Sequence, residues 1–383
     1  LAIPVFIGWA WYADAHTALW ITVALLVITC PCALSLATPT ALAASTGALA
    51  KDGILISGKQ SLETLAQIDD VVFDKTGTLT KGQLSVSRML SAGRLNEAQA
   101  LAIAQALEQQ SEHPIARAIL NHTLSDGPVS ALDVKVQQRV NRIGHGVSAQ
   151  IELDGETQVW ALGKAAFVSE IAGNLPETFA HIDHTGGIIF LGNQSGFQTA
   201  FLLEDQIKDS AAEMLQNLKQ HGIRLHLLSG DRQAAVAQVA QELGLDAYRA
   251  EATPEDKLAY VENLQKQGRK VMMIGDGIND APVLAQADVS AAVATSADVA
   301  RDGADVVLLN DDLNVLPVMM EQARRTHQII RQNLTWASAY NLVAVPLAVF
   351  GYVTPWIAAL GMSFSSLLVL GNALRLLKTK KAV

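Results

Sequence analysis

Cysteine is almost missing from this chain: Cys30 and Cys32 are the only two among its 383 residues. A disulfide framework is thereby excluded. Two positions apart in one segment, the pair is too constrained for an ordinary structural disulfide, which leaves a reduced, metal-binding or redox pair. Charge is scarce as well, at 17% of residues against 50% hydrophobic, and no charged residue stands between positions 20 and 49. That is poorer in charge than an average soluble domain. Basic stripes are lacking outside the short tail at 378–381, and with a net charge of −9 nucleic acid is not expected as a main partner. The amino terminus has no basic start and no small-residue cleavage site, so a secretory signal does not fit it.

What is present is apolar sequence gathered at the two ends. The run at 20–49 exceeds the roughly 20 residues with which a helix crosses a bilayer. Residues 334–352 and 356–377 form two further apolar stretches with Trp336, Tyr352 and Trp356 near their ends, and they predict a helical hairpin. Residues 1–11 are apolar but too short to span, and read as the end of a helix. Lys51, Lys59, Arg324, Arg325, Arg331 and Lys378 lie on one side of these spans, which predicts a cytoplasmic middle region. Within the first run, "ITCPCALSLATPT" puts a proline between the two cysteines. Proline in a helix interior costs about 3 kcal/mol. Unwound backbone is tolerated in a membrane where it lines a pathway or is buried in protein, so both thiolates are expected to face one intramembrane point. Thiolates there select soft ions, Cu(I) and Zn(II) among them.

From 52 to 331 the character changes to short β-branched runs alternating with polar helical stretches. Strands are expected at 71–73, 188–191, 225–228, 271–274, 289–293 and 306–308, with helices at 210–221 and 232–243. The alternation predicts an α/β fold with a doubly wound, mostly parallel sheet, whose chemistry lies beyond the carboxyl ends of its strands. At one such end stands "DKTGTLT", where Asp74 offers a carboxylate nucleophile beside Lys75, Thr76 and a glycine that lets the backbone turn. A carboxylate attacking phosphorus makes an acyl phosphate and splits one hard transfer into two steps. At another stands "GDGINDAP", whose Asp276 and Asp280 would hold Mg²⁺ together with Asp74. "LLSGD" brings the Ser229 hydroxyl, suited to a phosphoryl oxygen, and "TPEDK" brings Lys257 as a counter-charge. In the insert at 84–197, "SEHP" and "GHG" offer a polar ring and a tight backbone approach of the kind a nucleotide uses, with Gly163 in "LGK" a weaker third feature.

"DKTGTLT" with "GDGINDAP" downstream, between membrane helices, closely resembles the P-type ATPases, and "CPC", "SEHP" and "GHG" resemble their heavy-metal transporting branch. The resemblance covers essentially the whole chain. It implies transmembrane α-helices with a haloacid-dehalogenase-like phosphorylation domain at 51–83 and 198–325, an inserted α+β nucleotide-binding domain at 84–197, and membrane helices at 1–50 and 326–383. It further implies that ATP phosphorylates Asp74, that Glu112, His113, Gly144 and Gly146 line the nucleotide site, and that Asp205, Ser229, Asp231, Lys257, Asp276, Asn279 and Asp280 occupy motif positions of the phosphorylation domain. Ser229 departs from the family's usual threonine but keeps the hydroxyl. "AYN" with Tyr340 and Asn341, and "MSFSS" with Met362 and Ser366, hold no charged residue and resemble the copper-selective pattern; "LLSGDR", "WASAYN" and "GMSFSS" are similar to the copper pumps associated with respiratory-oxidase assembly.

The expectation is ATP-driven export of Cu(I) from the cytoplasm, in a bacterial inner membrane, with lipid, the copper ion and a copper chaperone as partners. The family's actuator glutamate, in the motif TGE, is absent from the sequence, as are CxxC modules, so the chain resembles the carboxyl-terminal part of a longer pump. Nucleotide binding and autophosphorylation without complete transport are expected of it. A Zn(II) or Cd(II) pump would keep the cysteine pair but carry a charged residue in the last spans. A soluble phosphatase of the same superfamily would have no use for the apolar ends and usually has Asp where Thr76 stands, and a membrane scaffold would take no phosphate from ATP.

Overall fold

The computed structural model describes residues 1–58, 60–93, 95–124, 134–153, 155–182, 184–275, 280–293, 303–310 and 312–379. In chain order the strands are β1 (Ile54–Ile56), β2 (Asp70–Asp74), β3 (Thr80–Ser91), β4 (Lys135–Arg142), β5 (Gly146–Leu153), β6 (Glu156–Gly163), β7 (Gly187–Asn193), β8 (Gly196–Ile207), β9 (Arg224–Leu228), β10 (Ala247–Arg249), β11 (Val271–Gly275), β12 (Val289–Ala292) and β13 (Val306–Leu308). The chain divides into two compact units, one of Leu1–Phe73, Ser210–His226 and Thr253–Val383, the other of Asp74–Asp209 and Leu227–Ala252.

In the first unit the strand order is β1, β13, β12, β11, β2, β9. β11 pairs in parallel with both β12 and β2, β12 in parallel with β13, and the edge strand β1 runs antiparallel to β13. Every residue of β2 and β11 is buried. Continuous Val, Met, Ile and Phe runs of this kind belong to strands covered on both faces. Phe73 and Ile274 are register partners, so the two loops singled out by sequence leave neighbouring strands at the same end.

At the opposite end of β2 the sheet is held by a buried charge cluster. The Asp70 side chain is fully buried and accepts from His226 Nε2 at 2.7 Å and from Arg269 Nε, with Arg224 Nε at 3.3 Å. His226 Nδ1 meets the Tyr260 hydroxyl at 3.0 Å. Removing one partner of such a cluster strands the others in low dielectric. Asp70→Ala is therefore expected to destabilise the fold by about 3–5 kcal/mol. Thermal melts of the chain check this, and an unchanged melting temperature would contradict it.

The apolar ends form helices in the same unit. The run at 20–49 is not one helix: Ala15–Ile28 ends before the proline and Cys32–Lys51 begins after it. The hairpin is Val315–Val349 and Pro355–Ala373, its first helix starting well before the apolar stretch and carrying Arg324, Arg325 and Arg331. Two stretches, Ala15–Lys51 and Pro355–Leu376, are long and apolar enough to cross a bilayer. Packing is inverted relative to a soluble core. Ala24, Ala41, Ala337, Ala348, Ala358 and Ala373 are buried between helices, while Leu342, Trp356, Leu360, Phe364 and Leu367 face outward. Small residues let helix backbones approach where lipid, not water, surrounds them.

The second unit is built on an antiparallel sheet ordered β3, β8, β7, β6, β5, β4. Residues 188–191 belong to this sheet, in β7, and not to the parallel one. Alternate residues of β7 and β8 face opposite sides. Leu191, Phe201 and Leu203 pack with Leu101, Leu107 and Ile119 of the helices Glu97–Glu108 and Pro114–Leu120, whereas Phe190, Ala200 and Leu202 pack with Phe167 and Phe179 of Ala165–Ala172 and Glu177–Ala180.

Candidate functional site

In the second unit Asp74 ends β2 and is buried. Its carboxylate Oδ2 accepts from the Thr76 N–H at 3.1 Å. Residues 75–79 turn back at Gly77, whose φ of 70° lies in the region glycine tolerates, and the Gly77 N–H donates to Thr80 Oγ1 at 3.2 Å. Thr80 Oγ1 in turn donates to Asp205 Oδ2 at 2.6 Å and lies 3.0 Å from the Lys75 carbonyl oxygen. The buried Lys75 ammonium pairs with Asp231, and the Asp231 N–H donates to Ser229 Oγ at 3.2 Å. Lys75, Thr76, Asp205 and Asp231 thus line one cleft of about 1260 Å³ with His184, Glu204 and Arg232. A buried cation next in sequence to a buried carboxylate at a strand tip is suited to a developing phosphoryl charge.

Burial pushes the Asp205 carboxyl up from its ordinary value, against the opposing pull of the Thr80 hydroxyl and the Lys75 charge. A carboxyl raised in this way contributes stability that is complete below its unfolded pKa, about 3.9, and is lost as pH rises through the folded value. Asp205→Asn stays neutral. Its melting temperature relative to wild type is expected to climb as pH rises above about 4, and a pH-independent difference would contradict this.

In the first unit Lys257 and Asp280 are both buried, with Nζ to Oδ1 at 2.8 Å. Lys257 lies in the helix Pro254–Lys266, which Thr253 opens with a capping box closed by Asp256. Asp280 sits just before the helix Ala281–Gln286. Asp276 and Asn279 lie outside the described residues. The chemistry of the remaining donors fits Mg²⁺: carboxylate oxygens are what a hard cation takes.

On the antiparallel sheet, Gly146 and Gly163 are register partners in β5 and β6. A Cβ on Gly146 would meet the Leu162 carbonyl oxygen at 2.3 Å, and one on Gly163 would meet that of His145 at 2.3 Å, so neither position admits a side chain. Gly144 has φ 77° and open space around it. His113 is exposed and caps the helix Pro114–Leu120 by accepting the Ile115 N–H on Nδ1 at 3.3 Å; Glu112 beside it is exposed too.

In the helical bundle the break at Pro31, with φ −80° and ψ 30°, turns the chain. The Cα atoms of Cys30 and Cys32 stand 5.6 Å apart and their sulfurs are joined. The break at Pro31 brings the two sulfurs together, as the metal-binding or redox pair expected from the sequence requires. Cys30 from the break, Tyr340 and Asn341 from Val315–Val349 and Met362 from Pro355–Ala373 come together around a cavity of about 10 Å³, lined also by Pro31, Ala33, Leu34, Ala337 and Ser365. That is about the room of one water-sized guest. Cys32 and Ser366 are not among its lining residues. Ser365 was not singled out from the sequence, yet its buried hydroxyl has no hydrogen-bond partner among the described residues. Adjacent helical residues point about 100° apart, so only the helix's rotation decides between two consecutive serines.

A family profile described as haloacid dehalogenase-like hydrolase matches residues 68–288. The chain is 39% identical over 381 residues to the cation-transporting P-type ATPase B of Mycobacterium bovis, covering 96% of this chain and 49% of that protein. It is 38% identical over 383 residues to the probable copper-exporting P-type ATPase V of Mycobacterium tuberculosis, covering 98% and 49%. Among solved structures, a zinc-transporting PIB-type ATPase in its E2.Pi state superposes with a TM-score of 0.84 at 32% identity, over 98% of this chain and 61% of that one. The chain spans about half the length of the curated relatives it matches.

Proposed function

The chain belongs to the haloacid dehalogenase-like hydrolases, its relatives include cation-transporting and probable copper-exporting P-type ATPases, and on that footing we propose that it takes part in ATP-driven Cu(I) export through an aspartyl phosphate at Asp74. The reading for copper rests on one observation. The cavity in the bundle gathers a cysteine sulfur, a thioether, a phenol and an amide, with no charged residue among its lining. Soft sulfur donors suit a soft monovalent ion, and a divalent ion would favour a carboxylate close by. A zinc reading is favoured by the match to a zinc-transporting structure, and it predicts turnover stimulated by Zn(II) alone.

In this reading the nucleotide lies on the antiparallel sheet near Glu112, His113, Gly144, Gly146 and Gly163, and its phosphates enter the cleft beside Lys75 and Asp231. An Asp74 oxygen attacks the terminal phosphorus, the bond to the bridging oxygen breaks, and ADP leaves with that electron pair. Lys75, Lys257 and the Ser229 hydroxyl offset the phosphoryl charge. Mg²⁺, held by Asp74, Thr76, Asp276 and Asp280, would neutralise charge on the transferring group. Water later cleaves the acyl phosphate and restores the carboxylate. The helices sit in a bacterial inner membrane with the catalytic units on its cytoplasmic side. Incubating the chain with Mg²⁺ and ATP labelled in its terminal phosphate tests the reading: acid-stable label that hydroxylamine removes is expected, and nucleotide binding without label would contradict it.

A further inference from the structure

The turn that carries Gly144 and Gly146 has almost nothing of its own to hold it. It is a β-turn over residues 142–145, with the His145 N–H donating to the Arg142 carbonyl at 3.0 Å. Gly144, at its third position with φ 77°, supplies the positive angle a type II turn needs there. Ile143 at the tip is 95% exposed, and Gly144 and His145 are exposed with it. On its inner side the turn presses against the helix Ala165–Ala172. The Lys164 N–H donates to the His145 carbonyl at 2.9 Å, and a Cβ on Gly146 would stand 2.8 Å from Phe167 Cδ1.

One side chain of the turn reaches back to that helix. Arg142 Nη1 donates to both oxygens of Glu170, at 2.8 and 2.7 Å, with its guanidinium carbon 5.5 Å from the centroid of the Phe167 ring. Both charged side chains are 53% exposed, so the pair adds little to global stability. Its geometry does something else: a planar cation lying over a buried ring and fixed to a carboxylate gives the turn a single position.

Resting on the reading that Gly144 and Gly146 line the nucleotide site, we infer that Arg142 and Glu170 are positioning residues of that site. Held by this clamp, the glycine backbone stays where the nucleotide meets it. Without the clamp the turn must be ordered at the moment of binding, and that ordering is subtracted from affinity.

The test is calorimetric titration of the full chain with adenylyl imidodiphosphate, a non-hydrolysable ATP analogue. Wild type is compared with Arg142→Glu, Glu170→Arg, the double exchange and Glu112→Ala. Each single reversal is expected to weaken binding by about fivefold with an unchanged melting temperature, and the double exchange to return it to within about twofold of wild type. Single reversals that bind like wild type, while Glu112→Ala binds weakly, would overturn the clamp alone. A double exchange as weak as the singles would overturn it too, because Arg142 would then be touching the nucleotide itself. No weakening in any variant, Glu112→Ala included, would instead overturn the nucleotide reading on which the clamp rests.

Discussion

Asp74→Asn is expected to abolish acid-stable labelling of the chain by ATP, a loss on the order of a thousandfold or more. The side chain keeps its size, and an amide oxygen can still accept the Thr76 N–H that the carboxylate accepts at 3.1 Å, so the loop keeps its shape. What changes is chemistry: an amide has no charged oxygen with which to attack phosphorus, and Asp74 is the carboxylate buried at the end of β2. Nucleotide affinity should be little affected, since none of the residues proposed to line the nucleotide site belongs to the Asp74 strand or the loop after it. The measurement is acid-quenched labelling beside calorimetric binding on the same preparation. Label at the wild-type level in Asp74→Asn would show that another residue is phosphorylated.

The second large effect is expected at the membrane cavity. Cys30→Ala, under reducing conditions, should lower affinity for Cu(I) by more than the roughly 10- to 100-fold that losing an outer partner of a metal costs, because Cys30 lines the cavity directly. Met362→Ala should do less, since a thioether is neutral and binds the ion more weakly than a thiolate does. Competition against a chromophoric Cu(I) chelator reads both. Equal affinities in wild type and Cys30→Ala would remove the cavity from the account.

The strands were legible because buried parallel strands are continuous apolar runs: 71–73, 225–228, 271–274 and 306–308 all lie within observed strands. That Asp74 and Ser229 stand at strand ends was legible for the same reason. Three things were not legible. The "TPEDK" motif singles out Lys257 as a counter-charge, but its burial against Asp280, 23 residues away, comes only from the fold. Asp70 is unremarkable in sequence because Arg224, His226 and Arg269, its partners, are more than 150 residues distant and are gathered only by the sheet. The cavity's lining by Ser365 depends on the rotation of one apolar helix, and a segment with little polar contrast between its faces carries no signal for that rotation.

The central claim is that one chain joins a soft-metal site in the membrane to a phosphate-accepting aspartate in the cytoplasm. It is tested most directly by labelling the reduced chain with ATP and Mg²⁺ in the presence of Cu(I), of Zn(II) or of neither, in wild type and Cys30→Ala. The account predicts that Cu(I) changes the level of hydroxylamine-labile phosphoprotein in wild type and leaves Cys30→Ala unchanged. The same label in all three conditions, or a response to Cu(I) that survives loss of Cys30, would contradict it.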